Sequence, residues 1–275
     1  MIGPLRSILF APGDDERKLR KAAASGADAF VFDLEDAVAL SAKVGARAVT
    51  RAFLSEPRGS AARLVRVNAF GTPWFEDDVA LVAQVRPDAV VLPKATPDGA
   101  DALARSGLAV IAIVETAMGV RLAFETASRP NVLALLLGAV DLGAELGLET
   151  RADGLEIHYA RSKLVVDSAA AGIRAPIDVV HTAIDDLDGL ERQARLARSL
   201  GLRGKACIHP AQVETINAAF TTSPEELDWA RRVLAAAAQA AAEGRGVINL
   251  DGSMVDAAVL LRAERVVAES DGGQR

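Results

Sequence analysis

The stretch VLALLLGAVDL (132–142) decides the fold of this 275-residue chain. It is a short run of Val and Leu that closes with a glycine and an acidic residue, as buried strands of a parallel sheet do. Two other runs have the same form: RLVRVNAF (63–70) contains Arg66, and AVIAIVETA (109–117) contains Glu115. One basic and two acidic residues where parallel strands end are typical of an α/β-barrel active site.

Eight such apolar runs precede residue 211 and alternate with helix-like segments. This alternation predicts a (β/α)8 TIM barrel over residues 1–220, with right-handed crossovers throughout. A doubly wound open sheet is the alternative, but the loop after the first run reads APGDDE and is not the usual Gly-rich phosphate loop. The runs are SILFAP (7–12), AFVFDLE (29–35), RLVRVNA (63–69), AVVLPK (89–94), AVIAIVE (109–115), VLALLLGAVD (132–141), APIDVVHT (175–182) and KACIHP (205–210).

Residues 221–275 form a predicted C-terminal helical extension, either a lid or an oligomerisation arm. Ser-Pro-Glu-Glu at 223–226 begins a long Ala-rich helix, because it offers an N-cap, a proline at the first helical position and acids in the first turn. A turn around residues 251–252 and a final helix follow. The apolar residues near this turn would be exposed on a monomer, which predicts an oligomer interface. They are Val247, Ile248, Leu250, Met254 and Val255.

Composition excludes several classes of protein. A net charge of −6 without a basic block, and only 4% aromatic residues, argue against nucleic-acid and anionic-membrane partners. The single cysteine, Cys207, excludes an internal disulfide and fits a reducing compartment. No apolar run is long enough for a membrane span or a signal peptide. We therefore expect a soluble cytoplasmic protein.

Glu115 and Asp141 are the candidate metal ligands. They follow the fifth and sixth runs, which are neighbouring strands in a barrel, so their carboxylates can converge on one ion. Two carboxylates, water and a chelating substrate would complete an octahedral Mg²⁺ or Mn²⁺ site. The alternative is that each carboxylate caps a helix or pairs with an arginine.

Arg66 stands between Val65 and Val67 in an apolar run. A buried guanidinium must face an anion or be paired, because burying it alone is very costly. It therefore binds a substrate carboxylate, or pairs with Glu35 or Asp36, or does both. In the last case the two carboxylates would orient Arg66 and metal-bound water.

Three further polar residues end predicted strands. Lys94 could form a Schiff base, act electrostatically or join an ion pair. His209 either faces the site or is structural, and His181 is ambiguous.

Nine motifs run in order along nearly the whole chain: RSILFAPG (6–13), FDLEDAV (32–38), VRVNAFGTPW (65–74), VVLPKA (90–95), IVETAMGV (113–120), LLGAVDLGAELG (136–147), YARSKLV (159–165), GKACIHPAQV (204–213) and LDGSMVDA (250–257). They resemble the citrate lyase β-subunit-like proteins of the HpcH/HpaI aldolase and malyl-CoA lyase superfamily. The resemblance implies a Mg²⁺-dependent barrel enzyme that makes or breaks a C–C bond between an acyl thioester and an α-keto acid. By the same resemblance, Arg66 holds the substrate carboxylate, Glu115 and Asp141 ligate the metal, and Glu35 and Asp36 bind metal-bound water.

The resemblance also assigns residues to the thioester carrier. Phe10 and Lys21 match positions that contact coenzyme A in malyl-CoA lyases, and Ile208 and His209 match a strand-eight contact to the same ligand. Val140, which precedes the metal aspartate, stands where many relatives have Glu and is expected to touch the substrate through its backbone.

Asp256 matches an acid that enters the active site of a neighbouring subunit and is the candidate for proton transfer. A homotrimer or a homohexamer is therefore expected. The implied reaction is a reversible Claisen-type cleavage of a citryl, malyl, citramalyl or β-methylmalyl thioester. A thioesterase acting on the same substrates and a non-catalytic thioester-binding subunit are the alternatives. The sequence leaves open whether the carrier is coenzyme A or an acyl-carrier protein.

Overall fold

In a computed structural model, which describes residues 2–242, 248–250 and 253–270, eight parallel strands close into a barrel. Each strand pairs with the next along the chain, and the eighth pairs with the first. The predicted (β/α)8 fold is confirmed. The strands are β1 (Ser7–Pro12), β2 (Ala29–Asp33), β3 (Ala62–Arg66), β4 (Ala89–Leu92), β5 (Val110–Val114), β6 (Val132–Leu137), β7 (Ile177–Asp178) and β8 (Gly204–Cys207).

Helices follow the strands and cover the outside of the barrel. Short 3₁₀ turns lie at Leu40–Ala42, Leu155–Ile157 and Pro210–Gln212. No helix in the described part of the chain is long and apolar enough to cross a bilayer. The helices of this unit are α1 (Glu16–Ala23), α2 (Lys43–Leu54), α3 (Phe75–Val85), α4 (Pro97–Ala104), α5 (Ala117–Arg121), α6 (Ala123–Ala127), α7 (Ala139–Leu146), α8 (His158–Ala171), α9 (Leu187–Leu200) and α10 (Val213–Phe220).

The barrel strands alternate between two apolar layers, as a strand with a side-chain period of two requires. In β2, Ala29 and Val31 belong to the core inside the barrel, whereas Phe30 and Phe32 pack in the layer beneath the helices. The inner core combines alanines with larger residues such as Ile8, Leu64 and Ile111, so the barrel interior is filled by side chains. The polar residues that follow the strands are left at the rim.

The chain divides into two units, Met1–Phe220 and Thr221–Arg275. In the second unit the predicted helix start is confirmed by a reciprocal capping box: Ser223 Oγ accepts from Glu226 N–H, and the Glu226 carboxylate accepts from Ser223 N–H. The elements of this unit are α11 (Pro224–Ala242), β9 (Ile248–Leu250), β10 (Ser253–Val255) and α12 (Ala257–Ser270).

The prediction of an exposed apolar patch in the second unit is wrong for Val255. Its side chain is only 3% exposed and packs in a small core with Ala230, Val233 and Ala263. β9 and β10 form an antiparallel pair, so alternate residues of β10 face opposite sides, and Met254 is 64% exposed. Val247, the side chain of Ile248 and the predicted turn at 251–252 lie outside the described residues.

The strand β7 is much shorter than its predicted run at 175–182, and a buried ionic cluster ties it into the barrel. The Asp178 carboxylate accepts from Arg161 Nε at 2.8 Å, Arg161 Nη2 at 3.0 Å and Lys205 Nζ at 2.7 Å. These three side chains are almost completely buried. They link β7 to β8 and to α8, where a two-residue strand offers few backbone hydrogen bonds.

Replacing Asp178 with Asn should lower the free energy of unfolding by about 3 kcal/mol, because it leaves two buried cations without an anion. Urea denaturation followed by circular dichroism measures the change. Asp153→Asn is the control, since it removes an aspartate whose pair with Arg151 is exposed, and it should leave stability almost unchanged. Equal midpoints for the two variants would contradict the prediction.

Candidate active site

A cavity of about 1030 Å³ opens where the barrel strands end. Its wall combines residues at the ends of β1, β2, β3, β5, β6 and β8 with residues of α1 and α7. Glu35 is buried and does not line the cavity. The predicted site residues in the wall are Phe10, Lys21, Asp36, Arg66, Glu115, Val140, Asp141, Ile208 and His209.

Arg66 is the last residue of β3, and its main partner is Asp33, which the sequence reasoning missed. Arg66 Nε donates to Asp33 Oδ1 at 2.7 Å, and Nη2 donates to Oδ2 at 2.5 Å. Asp33 ends β2 directly opposite Arg66 in the strand register, which is the signal that could have identified it. Its carboxylate also accepts from the backbone N–H groups of Glu35 and Ala37. Asp33 therefore fixes both the guanidinium and the loop after β2.

Arg66 also forms the ion pairs that the sequence suggested. Its Nη1 lies 2.9 Å from Glu35 Oε2 and 3.9 Å from Asp36 Oδ2. The Phe10 ring lies against the guanidinium, with 5.3 Å between Cζ and the ring centroid. Burial alone would lower the pKa of Arg66, but the hydrogen bonds and charge of Asp33 outweigh it and raise the pKa. Arg66 is therefore a fixed, permanently charged donor in the wall.

Glu115 follows β5 directly and is only 3% exposed. Its Oε1 accepts from the backbone N–H of Lys94 at 2.6 Å. Burial raises the pKa of Glu115 to about 8, and the negative charges of Glu35 and Asp141 add to the effect against the Lys94 N–H. The positive charge near this carboxylate does not compensate for its burial and for the negative charges beside it.

Asp141 does not end a strand as predicted, because β6 stops at Leu137 and Asp141 lies in the first turn of α7. Its side chain still lines the same cavity as Glu115. The neighbouring Val140 is 56% exposed and also lines this wall. Among residues 2–242, 248–250 and 253–270, no three or more His, Cys, Asp or Glu side chains form a cluster suited to a metal ion. A metal at Glu115 and Asp141 would thus take two carboxylates from the chain and its other ligands from water or substrate.

A basic stretch of α1 lines the cavity beside Phe10. Arg17, Lys18 and Lys21 all contribute to this side of the wall. The preceding Asp15 caps α1, since its carboxylate accepts from Lys18 N–H at 3.0 Å. The resulting wall suits an anionic group attached to an apolar chain.

The backbone after β8 is held by Gln212, a buried residue that the sequence reasoning missed. Its Oε1 accepts from the N–H groups of Ile208 at 3.1 Å and His209 at 3.3 Å, and its Nε2 donates to His181 O at 2.8 Å. His209 Nδ1 accepts from Ala211 N–H, so the imidazole caps the following 3₁₀ turn. His209 therefore has a structural contact as well as a place in the cavity wall.

Asp256 belongs to the second unit. Its side chain is exposed, and Oδ1 accepts from Ala258 N–H and Val259 N–H at 3.0 Å each, which caps α12. This hydrogen-bonded cap gives the carboxylate a defined orientation within its own unit.

Comparison with known proteins identifies a family for this chain. The family model for HpcH/HpaI aldolase/citrate lyase matches residues 6–210. A (3S)-malyl-CoA thioesterase of Cereibacter sphaeroides is 37% identical over 273 residues, which cover 98% of this chain and 95% of the relative. The β-subunit of citrate lyase from Leuconostoc mesenteroides is 34% identical over 278 residues, covering 95% and 92% of the two chains.

A solved structure gives the same result for the fold. The CitE protein of Mycobacterium tuberculosis, in complex with magnesium, acetoacetate and coenzyme A, superposes with a TM-score of 0.83 at 37% identity and covers 98% of both chains. The family model matches residues 6–210, and the relatives and the solved structure match nearly the full length. The chain therefore belongs to the HpcH/HpaI aldolase/citrate lyase family.

Proposed function

We propose that this protein is a Mg²⁺-dependent carbon–carbon lyase that cleaves a malyl-, citramalyl- or citryl-type acyl thioester into an acyl thioester and an α-keto acid. One observation carries the proposal: Arg66, Glu115 and Asp141 line one cavity at the ends of the barrel strands. A fixed guanidinium beside two acidic oxygen ligands suits a substrate that has a carboxylate next to a hydroxyl or carbonyl oxygen.

The residues present fit a hard divalent cation. Glu115 is a buried carboxylate whose pKa is raised to about 8 by burial and by nearby negative charge, which a cation would relieve. Gly138 leaves the space for this carboxylate, because a Cβ there would lie 2.6 Å from Glu115 Oε2. Glu115 and Asp141 would hold Mg²⁺. Glu35 and Asp36 would act on water molecules bound to the ion, Asp36 from the cavity wall and Glu35 from its buried position. When bound, Mg²⁺ supplies Lewis-acid polarisation of the substrate's oxygen atoms.

Arg66 and Asp256 have distinct roles in this mechanism. The Asp256 carboxylate takes the proton of the substrate hydroxyl as the C–C bond breaks, and the bonding electrons move to the thioester carbonyl to give an enolate. Return of this proton from Asp256 to the enolate carbon then yields the acyl thioester and restores the carboxylate. Arg66 donates hydrogen bonds to the substrate carboxylate and to the oxygen that becomes the keto group.

The other wall residues would bind the thioester carrier, for which we propose coenzyme A. Phe10 and Ile208 offer apolar contacts to the pantetheine arm of coenzyme A, and Lys21 offers a positive charge to the phosphates of coenzyme A. His209, which follows β8, would contact the same ligand. The relative from M. tuberculosis was crystallised with magnesium and coenzyme A, which supports this assignment.

A thioesterase acting on the same substrates is the second candidate, because the C. sphaeroides relative at 37% identity is a (3S)-malyl-CoA thioesterase. In that reaction water attacks the thioester carbonyl and the thiol leaves, so the C–C bond stays intact. Coenzyme A would then be released together with the free hydroxy acid.

Product analysis with Mg²⁺ and a panel of malyl-, citramalyl- and citryl-CoA separates the two functions. A lyase releases acetyl-CoA and an oxo acid, with no free thiol, whereas a thioesterase releases free coenzyme A and no oxo acid. Thiol titration and a coupled dehydrogenase assay measure these products. No turnover of any panel member would contradict both functions.

We also propose a cytoplasmic homotrimer or homohexamer in which Asp256 serves the active site of a neighbouring subunit. Its exposed, capped carboxylate supports the shared site. The single cysteine, buried and free, supports the reducing compartment.

Metal affinity should depend on pH because metal-free Glu115 has a pKa of about 8 and must lose its proton to bind a cation. The apparent affinity for Mn²⁺ should therefore rise by roughly a hundredfold between pH 6 and pH 9 and level off above pH 8. Electron paramagnetic resonance titration measures it. Glu115→Gln should bind Mn²⁺ weakly at every pH, whereas Glu145→Gln, outside the cavity wall, should keep the wild-type profile. A flat wild-type profile would count against Glu115 as a ligand.

Replacing Arg66 with Lys should lower kcat/KM by about tenfold or more, since it keeps the charge but loses the guanidinium that Asp33 holds in place and a directed hydrogen bond to the substrate worth roughly 1.5 kcal/mol. Arg47→Lys is a matched control, because Arg47 has the same 12% side-chain exposure and pairs with Asp78 outside the cavity. It should affect stability more than catalysis. Wild-type kinetics in the Arg66 variant would mean that Arg66 serves only its pair with Asp33.

Subunit mixing tests the shared site. Glu115→Ala and Asp256→Ala chains should each be nearly inactive, and a mixture given time to exchange subunits should recover part of the activity, because some sites then contain both native residues. Size-exclusion chromatography checks that each parent assembles. A mixture that stays inactive while both parents assemble would exclude Asp256 acting across subunits.

A further inference from the structure

Lys94 has an unusual backbone for its residue type. It lies in the turn after β4 with φ of +46°, in the left-handed region that favours glycine. Among the described residues only Arg86, with φ of +50° at the end of α3, is a second non-glycine residue in this region. Such a conformation persists where the surrounding contacts hold it in place.

The left-handed turn presents the Lys94 backbone to Glu115. Lys94 N–H donates to Glu115 Oε1 at 2.6 Å, and the next residue, Ala95, donates to Ile113 O at 3.0 Å. The turn is therefore hydrogen-bonded to the end of β5. This N–H is the hydrogen-bond donor that the structure gives to the Glu115 carboxylate.

The Lys94 side chain binds a second carboxylate. Its Nζ donates to Glu35 Oε1 at 2.6 Å, and the other oxygen of Glu35 faces Arg66. The ammonium is engaged in this ion pair and Lys94 does not line the cavity, so it is not placed to attack a substrate carbonyl. The Schiff-base role considered for Lys94 is therefore not supported, and the ion-pair role is.

We propose that Lys94 is a positioning residue whose ion pair with Glu35 holds the strained turn that directs its backbone N–H to Glu115. The inference rests on the proposed metal site, because it assigns Lys94 to orienting the carboxylate that would bind the cation. Without the ammonium, a residue with a Cβ would relax to negative φ and turn its N–H away from Glu115. Glycine would not, because the left-handed region costs it nothing.

Three variants test this proposal. Lys94→Met removes the ammonium and keeps the Cβ, Lys94→Gly removes both, and Lys94→Arg keeps the charge. Mn²⁺ affinity should fall about tenfold in the Met variant, the effect of losing one hydrogen bond to a charged group. It should fall less in the Gly variant and recover in the Arg variant. Arg86→Met and Arg86→Gly are the controls, because Arg86 shares the backbone conformation but donates to Ser106 O and Val82 O, away from Glu35 and Glu115, and both should bind Mn²⁺ as the wild type does.

Urea denaturation of the metal-free protein gives a second readout. Lys94→Gly should be more stable than Lys94→Met, whereas at a relaxed position glycine would be the less stable of the two. The proposal is overturned if the Met variant binds Mn²⁺ as tightly as the wild type or tighter, or if Lys94→Gly is less stable than Lys94→Met. If the wild type binds no Mn²⁺ and cleaves no thioester, the proposed function fails, and the order of stabilities alone decides the role of Lys94.

Discussion

The bidentate pair between Asp33 and Arg66 is the interaction on which the rest of the site depends. A guanidinium at the end of a barrel strand is too costly to bury alone. The carboxylate of Asp33, which lies opposite Arg66 in the strand register, offsets that cost. The same carboxylate accepts from the backbone of the loop after β2, so it also places Glu35. From Glu35 the contacts continue through Lys94 to Glu115. The pair between β2 and β3 is thus connected to side chains that follow β2, β4 and β5.

Much of the fold follows from the sequence because a buried parallel strand has a simple pattern. Eight apolar runs predicted eight strands. Within β2, small and large residues alternate, and this alternation separates the inner core from the outer layer. The run at 175–182 contains only a two-residue strand, and its Asp178 is buried against Arg161 and Lys205. The apolar pattern alone shows neither how short this strand is nor the ionic cluster that joins it to its neighbours.

The site was predicted in outline, and its supporting contacts were not. Arg66 and Glu115 lie where strand-end reasoning expected them, but Asp33 stands in a run of acidic residues and only strand register identifies it as the partner of Arg66. The conformation of Lys94 has no sequence signal, because left-handed backbone at a lysine is imposed by its contacts and not by its own preference. Val255 was misassigned for a related reason: a two-helix unit has little else with which to build a core.

The charges around the cavity constrain the order in which ligands can bind. Arg66 is already paired with Asp33 and Glu35, so its charge is largely neutralised. It therefore orients a substrate carboxylate by hydrogen bonds more than it attracts one by its charge. The same cavity holds Glu115 and Asp141, whose carboxylates repel an anion. An anionic oxo acid therefore gains little from this end of the cavity until a cation offsets these carboxylates. The raised pKa of Glu115 and the paired state of Arg66 are two consequences of one arrangement: Arg66 and Lys94 already pair with Asp33 and Glu35, and a bound cation is left to attract the anionic oxo acid at this end of the cavity.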